Sequence, residues 1–336
     1  MATLSDVALR AGVSISAVSR VLTDAPGARV SPQTRERIKV AATELNYRPN
    51  FAGRALKVSR TDVIALVAPD LTNSFLTELM LGVEEETTRL GYMLLLGRSE
   101  DLQPGGEMIS RLLTEGRVDG MLVQVGDTTS RAQIQELVRV DLPVILINSI
   151  DAGERNGVVL QDEEGARIAT QHLIDLGHTR IGFVGGLPRT YTAMRRLAGF
   201  RATMRSAGLE VNRSWVTGRG YRPDQGRAAL NLIMSQSPPP TALVIANVNA
   251  AIGALKEARQ LGLDVPADLS IVSIHDAWTA ENTWPPLTAV KMPMRELGRA
   301  AVAALYNRLH DLPLSGHVVT DRAPLLMLRE STRALR

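Results

Sequence analysis

From Thr61 onward, short apolar runs alternate with longer segments whose apolar positions recur every three or four residues. The runs are Val63–Val67, Met93–Leu96, Met121–Val125, Val144–Ile147, Ile181–Val184, Ala242–Ala246, Ile271–Ile274 and Leu287–Val290. Their length and β-branched content predict strands, and the amphipathic segments between most of them predict helices. Strands alternating with helices predict parallel α/β sheets. Gly91, Gly177, Gly208 and Gly262 each follow a predicted helix, where a left-handed cap belongs. Two sheet units in one chain would place a cleft between them, and ligands of such sheets bind outside the carboxyl ends of the strands. A last strand is expected within Leu325–Thr332, and the Leu-rich helix 293–310 is expected in the core or on a subunit surface.

The first sixty residues follow another pattern. A short helix capped by Ser5 would bury Val7, Ala8 and Ala11 and stop at Gly12. Ser14 can cap a second helix with Val18, Val21 and Leu22 on its apolar face. Ser31 followed by Pro32 opens a third, whose buried stripe is Ile38, Ala41, Ala42 and Leu45. Two helices joined by a tight Gly turn and supported by a third describe a helix-turn-helix domain. The second helix would then show Ile15, Ser16, Ser19 and Arg20 to the outside. Arg20 can fork onto a guanine edge, Ser16 can bond a base or phosphate, and Ile15 can meet a thymine methyl. A three-helix bundle with another role fits the helical pattern equally well. Beyond Tyr47-Arg48-Pro49-Asn50, the stretch Phe51–Lys57 is too short to hold a helix alone in water. It carries Arg54 beside Leu56, a wedge suited to prying open a minor-groove base step.

Charge sharpens this division. Residues 1–60 hold 10 Lys and Arg against 4 Asp and Glu, whereas the remainder holds 28 against 31. A basic head on a mildly acidic body suits a polyanionic partner, although a solvated basic face would show the same surplus. The chain has no Cys, which excludes disulfides, thiolate metal sites and a cysteine nucleophile. The N-terminal residues lack a basic segment followed by an apolar one, and no apolar run approaches the ~20 residues of a membrane span. A cytoplasmic protein without membrane contact is the expectation.

The blocks TLSDVALRAGVSISAVSRVL, VSPQTRERI and LNYRPNFAGRAL resemble, in order and spacing, the DNA-binding head and hinge of the LacI (lac repressor) family. The rest of the chain resembles that family too. The resemblance implies an α/β protein with an N-terminal three-helix head and a periplasmic-binding-protein-like core of two subdomains. It divides the chain into a head over 1–46, a hinge over 47–60 and an effector-binding and dimerisation core over 61–336. In that core, 61–161 and 291–320 would form one subdomain, with 162–290 and 321–332 the other. It also implies a ligand-responsive repressor of carbohydrate or related catabolic genes that binds a palindromic double-stranded operator as a homodimer. Ser5, Ile15, Ser16, Ala17, Ser19, Arg20, Arg35, Tyr47, Asn50, Arg54 and Leu56 are the implied DNA contacts. No tetramer-forming Leu heptads follow the last expected strand, so a dimer is expected. Thr23 replaces a usual Asn, the Asp24–Arg29 loop looks about two residues long, and Gly53 replaces a usual Ala, costing ~1 kcal/mol of helix propensity.

Implied effector contacts are Asn73, Phe75, Asn148, Arg189, Tyr191, Arg196, Tyr221, Asn247 and His275, in segments that follow predicted strands except for Tyr221, which lies in a Gly-rich loop. Tyr221 or Phe75 would stack on a ring and Arg196 would fork onto ligand oxygens. Positions 148, 248 and 275, commonly Asp in the family, here read Asn148, Val248 and His275. Losing three carboxylates beside Arg189, Arg195 and Arg196 shifts the expectation from a plain sugar toward a sugar-acid-like ligand. Against that stand plainer roles: His275 as a structural residue, Arg195 on a solvated helix face, and Trp278 and Trp284 as packing groups.

Two rivals are weaker. An enzyme would need a motif, yet Gly182–Gly186 is neither GxGxxG nor a Walker loop, and no HExxH or GxSxG occurs. Neither cofactor nor metal is expected. A transporter's solute-binding protein would share the core fold but would lack a basic head.

Overall fold

The computed structural model describes residues 2–22, 30–48, 60–71, 73–74, 76–98, 115–126, 129–138, 142–150, 156–313 and 318–335. They form two compact units, one up to Thr61 and one from Asp62 onward.

The first unit holds α1 (Leu4–Ala11), α2 (Ile15–Leu22) and α3 (Pro32–Glu44). Ser5 does not cap α1. Thr3 does, because its side chain accepts the Asp6 N–H while the Asp6 carboxylate accepts the Thr3 N–H, a reciprocal capping box. Gly12 ends the helix at φ 64°, where a side chain would be strained. Ser14 and Ser31 cap α2 and α3 through the amides of Ala17 and Thr34. Val7, Ala8, Ala11, Val18, Val21, Ile38, Ala41 and Ala42 make the core, with Leu22, Leu45 and Tyr47 packed against it. Arg10 joins α1 to Glu44 of α3 at 2.7 Å.

The second unit contains two sheets. The first is formed by β1 (Val63–Ala68), β2 (Met93–Arg98), β3 (Gly120–Gln124), β4 (Val144–Ile147) and β5 (Gly157–Val158) in the order β2-β1-β3-β4-β5. The second is formed by β6 (Ile181–Gly185), β7 (Val216–Gly218), β8 (Ala242–Ile245), β9 (Ser270–Ile274), β10 (Thr288–Lys291) and β11 (Leu325–Met327). Its order is β11-β10-β9-β8-β6-β7. All pairings are parallel except β10 with β11. All eight runs read from the sequence are strands. The two- and three-residue strands β5 and β7 escaped that reading because neither is long enough to show a period. The last strand stops at Met327 and does not extend to Thr332.

Helices α4 (Leu76–Arg89) and α5 (Arg131–Leu137) accompany the first sheet, while α6 (Asp162–Asp175), α7 (Tyr191–Ser206), α8 (Pro223–Met234), α9 (Val248–Gln260) and the short α10 (Trp278–Glu281) accompany the second. Alternate strand residues divide between two faces. Ile64, Leu66, Leu122, Ile145 and Ile147 pack toward α4 and α11 (Met294–Leu309), whereas Ala65, Val67, Met121, Val123 and Leu146 pack toward α5. In the second sheet, Phe183, Val244, Val272 and Ile274 meet α6 and α7; Val184, Leu243, Ile245 and Ile271 meet α8 and α9. The four predicted glycine caps have φ between 70° and 86°.

The chain passes between the sheets three times. After β5 it enters α6 beside the second sheet, and after β10 it returns through α11, which packs on α4 and the first sheet. Val318 then bridges Val159 before β11 closes the second sheet. Both sheets reverse their strand order once, between β1 and β3 and between β6 and β8. A crevice for ligands opens at the carboxyl ends beside such reversals.

Candidate effector cleft and DNA-reading helix

Residues from the two sheets meet at their carboxyl ends. Asn73 and Ser74 follow β1; Asn249 stands in the first turn of α9 after β8, and Thr279 lies in α10 after β9. The Asn249 amide donates to Asn73 Oδ1 at 2.8 Å, and the Ser74 and Thr279 hydroxyls are 3.0 Å apart. The floor beneath them is built by α6, α7 and the strand ends of the second sheet.

Arg196 is central to that floor. Residues 192 and 196 share one face of α7 by their four-residue spacing, which Tyr191 does not. The Arg196 guanidinium, only 2% exposed, donates through Nε to Asp162 at 2.7 Å, through Nη1 to the Ala246 carbonyl at 2.5 Å and through Nη2 to His275 Nε2 at 2.6 Å. Both nitrogens of the expected oxygen-binding fork thus face protein groups. Its carbon also lies 5.6 Å from the Tyr221 ring centre, within cation–π range. Tyr221 in turn shares a 3.3 Å hydroxyl contact with Thr192.

A guanidinium only donates, so His275 Nε2 accepts and the ring proton resides on Nδ1. Burial, and secondarily the Arg196 charge, hold the imidazole well below its ordinary pKa, which keeps it neutral. His275 and Asn148 are also left-handed, at φ 66° and 49°, each directly after a strand of its own sheet. Non-glycine residues held there store strain, which tends to collect at functional sites. Asn148 accepts the Leu160 N–H through Oδ1 at 3.0 Å, tying β4 to the first crossing. Asn247 is buried and caps α9 through the Asn249 amide.

The positive surplus anticipated from the missing Asp residues is largely cancelled. Asp162 neutralises Arg196 inside the protein, and Arg195 pairs with Glu163 at 3.0 Å. Arg189 is exposed on the loop before α7 and Tyr191 is half-buried. Phe75 lies outside the described residues. Trp278 and Trp284 do not pack within the chain: they are 64% and 85% exposed. In α10, Ala280 is buried and Thr279 partly so, while Trp278 points to solvent. Sequence reasoning missed Ser74, Asp162, Thr192, Asn249 and Thr279. Only Thr192 carried a sequence signal, its helical phase with Arg196.

In the head, Ile15, Ser16 and Arg20 are exposed on α2, with Ala17 and Ser19 partly so. This face lies opposite Val18 and Val21, so hydrophobic packing of α2 presents these side chains outward. Ser5 is exposed on α1, Arg35 is partly exposed on α3, and Tyr47 packs on the head core. Asn50, Arg54 and Leu56, like Thr23, Asp24–Arg29 and Gly53, fall outside the described residues.

Residues 3–50 match bacterial regulatory proteins of the lacI family, and residues 170–332 match the periplasmic binding protein-like domain. Over the full length of both chains, the sequence is 32% identical to the HTH-type transcriptional repressor PurR of Vibrio vulnificus. The chain belongs to the LacI family. The corresponding PurR of Vibrio campbellii is 33% identical, again over both full chains. Among solved structures, the lac repressor dimer bound to operator and the anti-inducer ONPF is 26% identical, with a TM-score of 0.82 over 99% of each chain. A LacI family regulator from Mycobacterium smegmatis is 39% identical and has a TM-score of 0.76, covering 81% of this chain and 99% of its own. This LacI-family chain is a DNA-binding, ligand-responsive transcriptional repressor, not an enzyme. Among the described residues, no helix is long and apolar enough to cross a membrane.

Proposed function

We propose that this repressor binds an uncharged, ring-bearing effector at the carboxyl ends of its two sheets and reads a palindromic operator as a homodimer in the cytoplasm. The observation that carries the ligand class is the Asp162–Arg196–His275 chain, in which a buried cation is balanced by a carboxylate and abutted by a neutral imidazole. Tyr221 lies over the guanidinium with Thr192 beside it, Asn247 follows Ala246, and in this reading Asn73 and Asn148 add amides from the strand ends of the first sheet. Such groups suit ring edges that both donate and accept hydrogen bonds, and the Tyr221 ring suits a flat or apolar face. Arg196 acts through Asp162 and His275 in this reading, and Arg189 is the one implied contact that keeps an exposed cation.

The expectation of carbohydrate genes has solved relatives behind it, among them the regulator CelR in complex with cellobiose, 29% identical. A purine base, flat and edged by donors and acceptors, suits the same lining. Titration calorimetry against neutral sugars, sugar acids and purine bases separates these. Binding of a neutral sugar or a purine supports the proposal; preference for a sugar acid overturns it.

The homodimer is supported by exposed apolar side chains, Met93, Leu95 and Leu96 on β2 with Trp278 and Trp284 beyond β9. One recognition helix reads few base pairs, and two-fold symmetry suits a palindrome. Effector-driven change in the core would alter the spacing of the two hinges around Leu56 and so their grip on the minor groove. Sedimentation of the full chain on operator DNA tests this: two chains per operator are expected, and one chain per site would contradict it.

A further inference from the structure

The contacts between Asn73, Ser74, Asn249 and Thr279 join segments 176 and 205 residues apart in sequence. They also join loops of different sheets. Ser74 Oγ lies 3.5 Å from Asn249 Oδ1, so the same two side chains sit within one small cluster. All four residues are partly buried, so their hydrogen bonds are only partly exposed to competing water. None of the four belongs to the Arg196–His275 floor, and each bond is made by protein groups alone.

We propose that these four residues form a clasp that biases the two core subdomains toward the closed arrangement independently of the effector. Closure then has a component built into the protein, and effector binding supplies only the remainder. A ligand shifts a two-state equilibrium only by its differential affinity, so a clasp sets how much of that affinity is needed to switch the repressor. Two neutral hydrogen bonds of this kind change such an equilibrium by about tenfold. The site assignment rests on the effector reading above, but the clasp itself is testable without any ligand.

The absence of Cys in the chain makes site-specific spin labelling clean. Thr88→Cys on α4 and Arg205→Cys on α7 place labels at exposed positions of the two subdomains. Labelled chains diluted with excess unlabelled protein would be measured by pulsed electron spin resonance, full length and without effector. With the clasp intact, a single narrow distance distribution is expected. Ser74→Ala with Asn249→Ala should add a second, displaced population of at least comparable size, without moving the thermal midpoint of the core by more than a few degrees. If the double variant folds poorly, Thr279→Val keeps the side-chain shape while removing one hydroxyl, and should produce the smaller shift. An unchanged distribution in these folded variants overturns the clasp. Failure of every ligand to bind the cleft would instead overturn the effector reading and leave the distance result standing.

Discussion

At the residue scale, the chemistry of the cleft turns on one buried cation. Arg196 and Asp162 have side chains 2% and 0% exposed, so their ion pair sits out of reach of water. Removing one member of such a pair leaves the other uncompensated, which costs about 3–5 kcal/mol. Arg196→Leu should therefore lower core stability by that amount in urea unfolding, whereas Arg189→Leu at its exposed position should change it little. His275 gives a pH signature. Its folded pKa is depressed, so below the ordinary value of 6.5 the unfolded chain binds the proton more readily than the folded one. Stability is then full above pH 6.5 and falls as pH drops below it. Burial also lowers His172 and His178, so they contribute with the same sign. Unfolding midpoints measured between pH 5 and 8 should show this loss, and His275→Asn should flatten it in part. No change of slope in that variant would mean that His275 is not the dominant titrating group. These roles were not legible beforehand. The sequence offers Arg196 as a ligand fork and His275 as a lone histidine, and only the fold brings Asp162 and His275 onto the same guanidinium.

At the element scale, close helix approach is set by glycine. Gly82 of α4 faces the backbone of Arg295 in α11, and Gly298 of α11 faces that of Leu79. Gly199 of α7 faces Glu163 of α6; Gly226 and Gly253 interlock α8 with α9. A methyl group at Gly253 would collide with the Pro223 carbonyl, and backbone gives way poorly. Overpacking of this kind costs about 1–3 kcal/mol, so Gly253→Ala should lower the unfolding midpoint of the core accordingly. Glu85 locks the α4–α11 pair further: hydrogen bonds from Arg295 and Arg299 lower its pKa to about 2. In the head, the capping box predicts that Thr3→Ala weakens operator binding through a frayed α1, while Ser5→Ala leaves α1 intact. Helicity of the full chain and operator affinity measured together distinguish the two. Strand positions were legible because each apolar run is bounded by polar turns. The glycine contacts were not, since which helices pair depends on the order of strands in each sheet.

At the scale of the whole molecule, the lacI-family match falls in the first unit and the periplasmic binding protein-like match in the second, so DNA reading and effector sensing should be separable. Arg20→Ala should relax base preference on operator variants, because Arg20 lies on the outward face of α2. Arg35→Ala should weaken binding to every sequence alike. An Arg20 variant with unchanged base preference would remove α2 from the reading role. Deleting residues 1–60 should abolish operator binding while the remaining unit, which has its own cores, retains ligand binding. Loss of both would contradict the modular arrangement.

The sequence by itself determined the helix-turn-helix head, the eight principal strands, the glycine caps and the family. Each of these is written in local periodicity, capping residues or ordered motif blocks, which neighbouring residues specify without help from distant ones. The tertiary structure alone decided the electrical character of the cleft and the bonds that span it. Asp162, Arg196 and His275 come from three separate segments, as do Asn73, Asn249 and Thr279. Whether a charge is balanced or a polar group satisfied depends on such distant partners, and three crossings between two sheets bring them together.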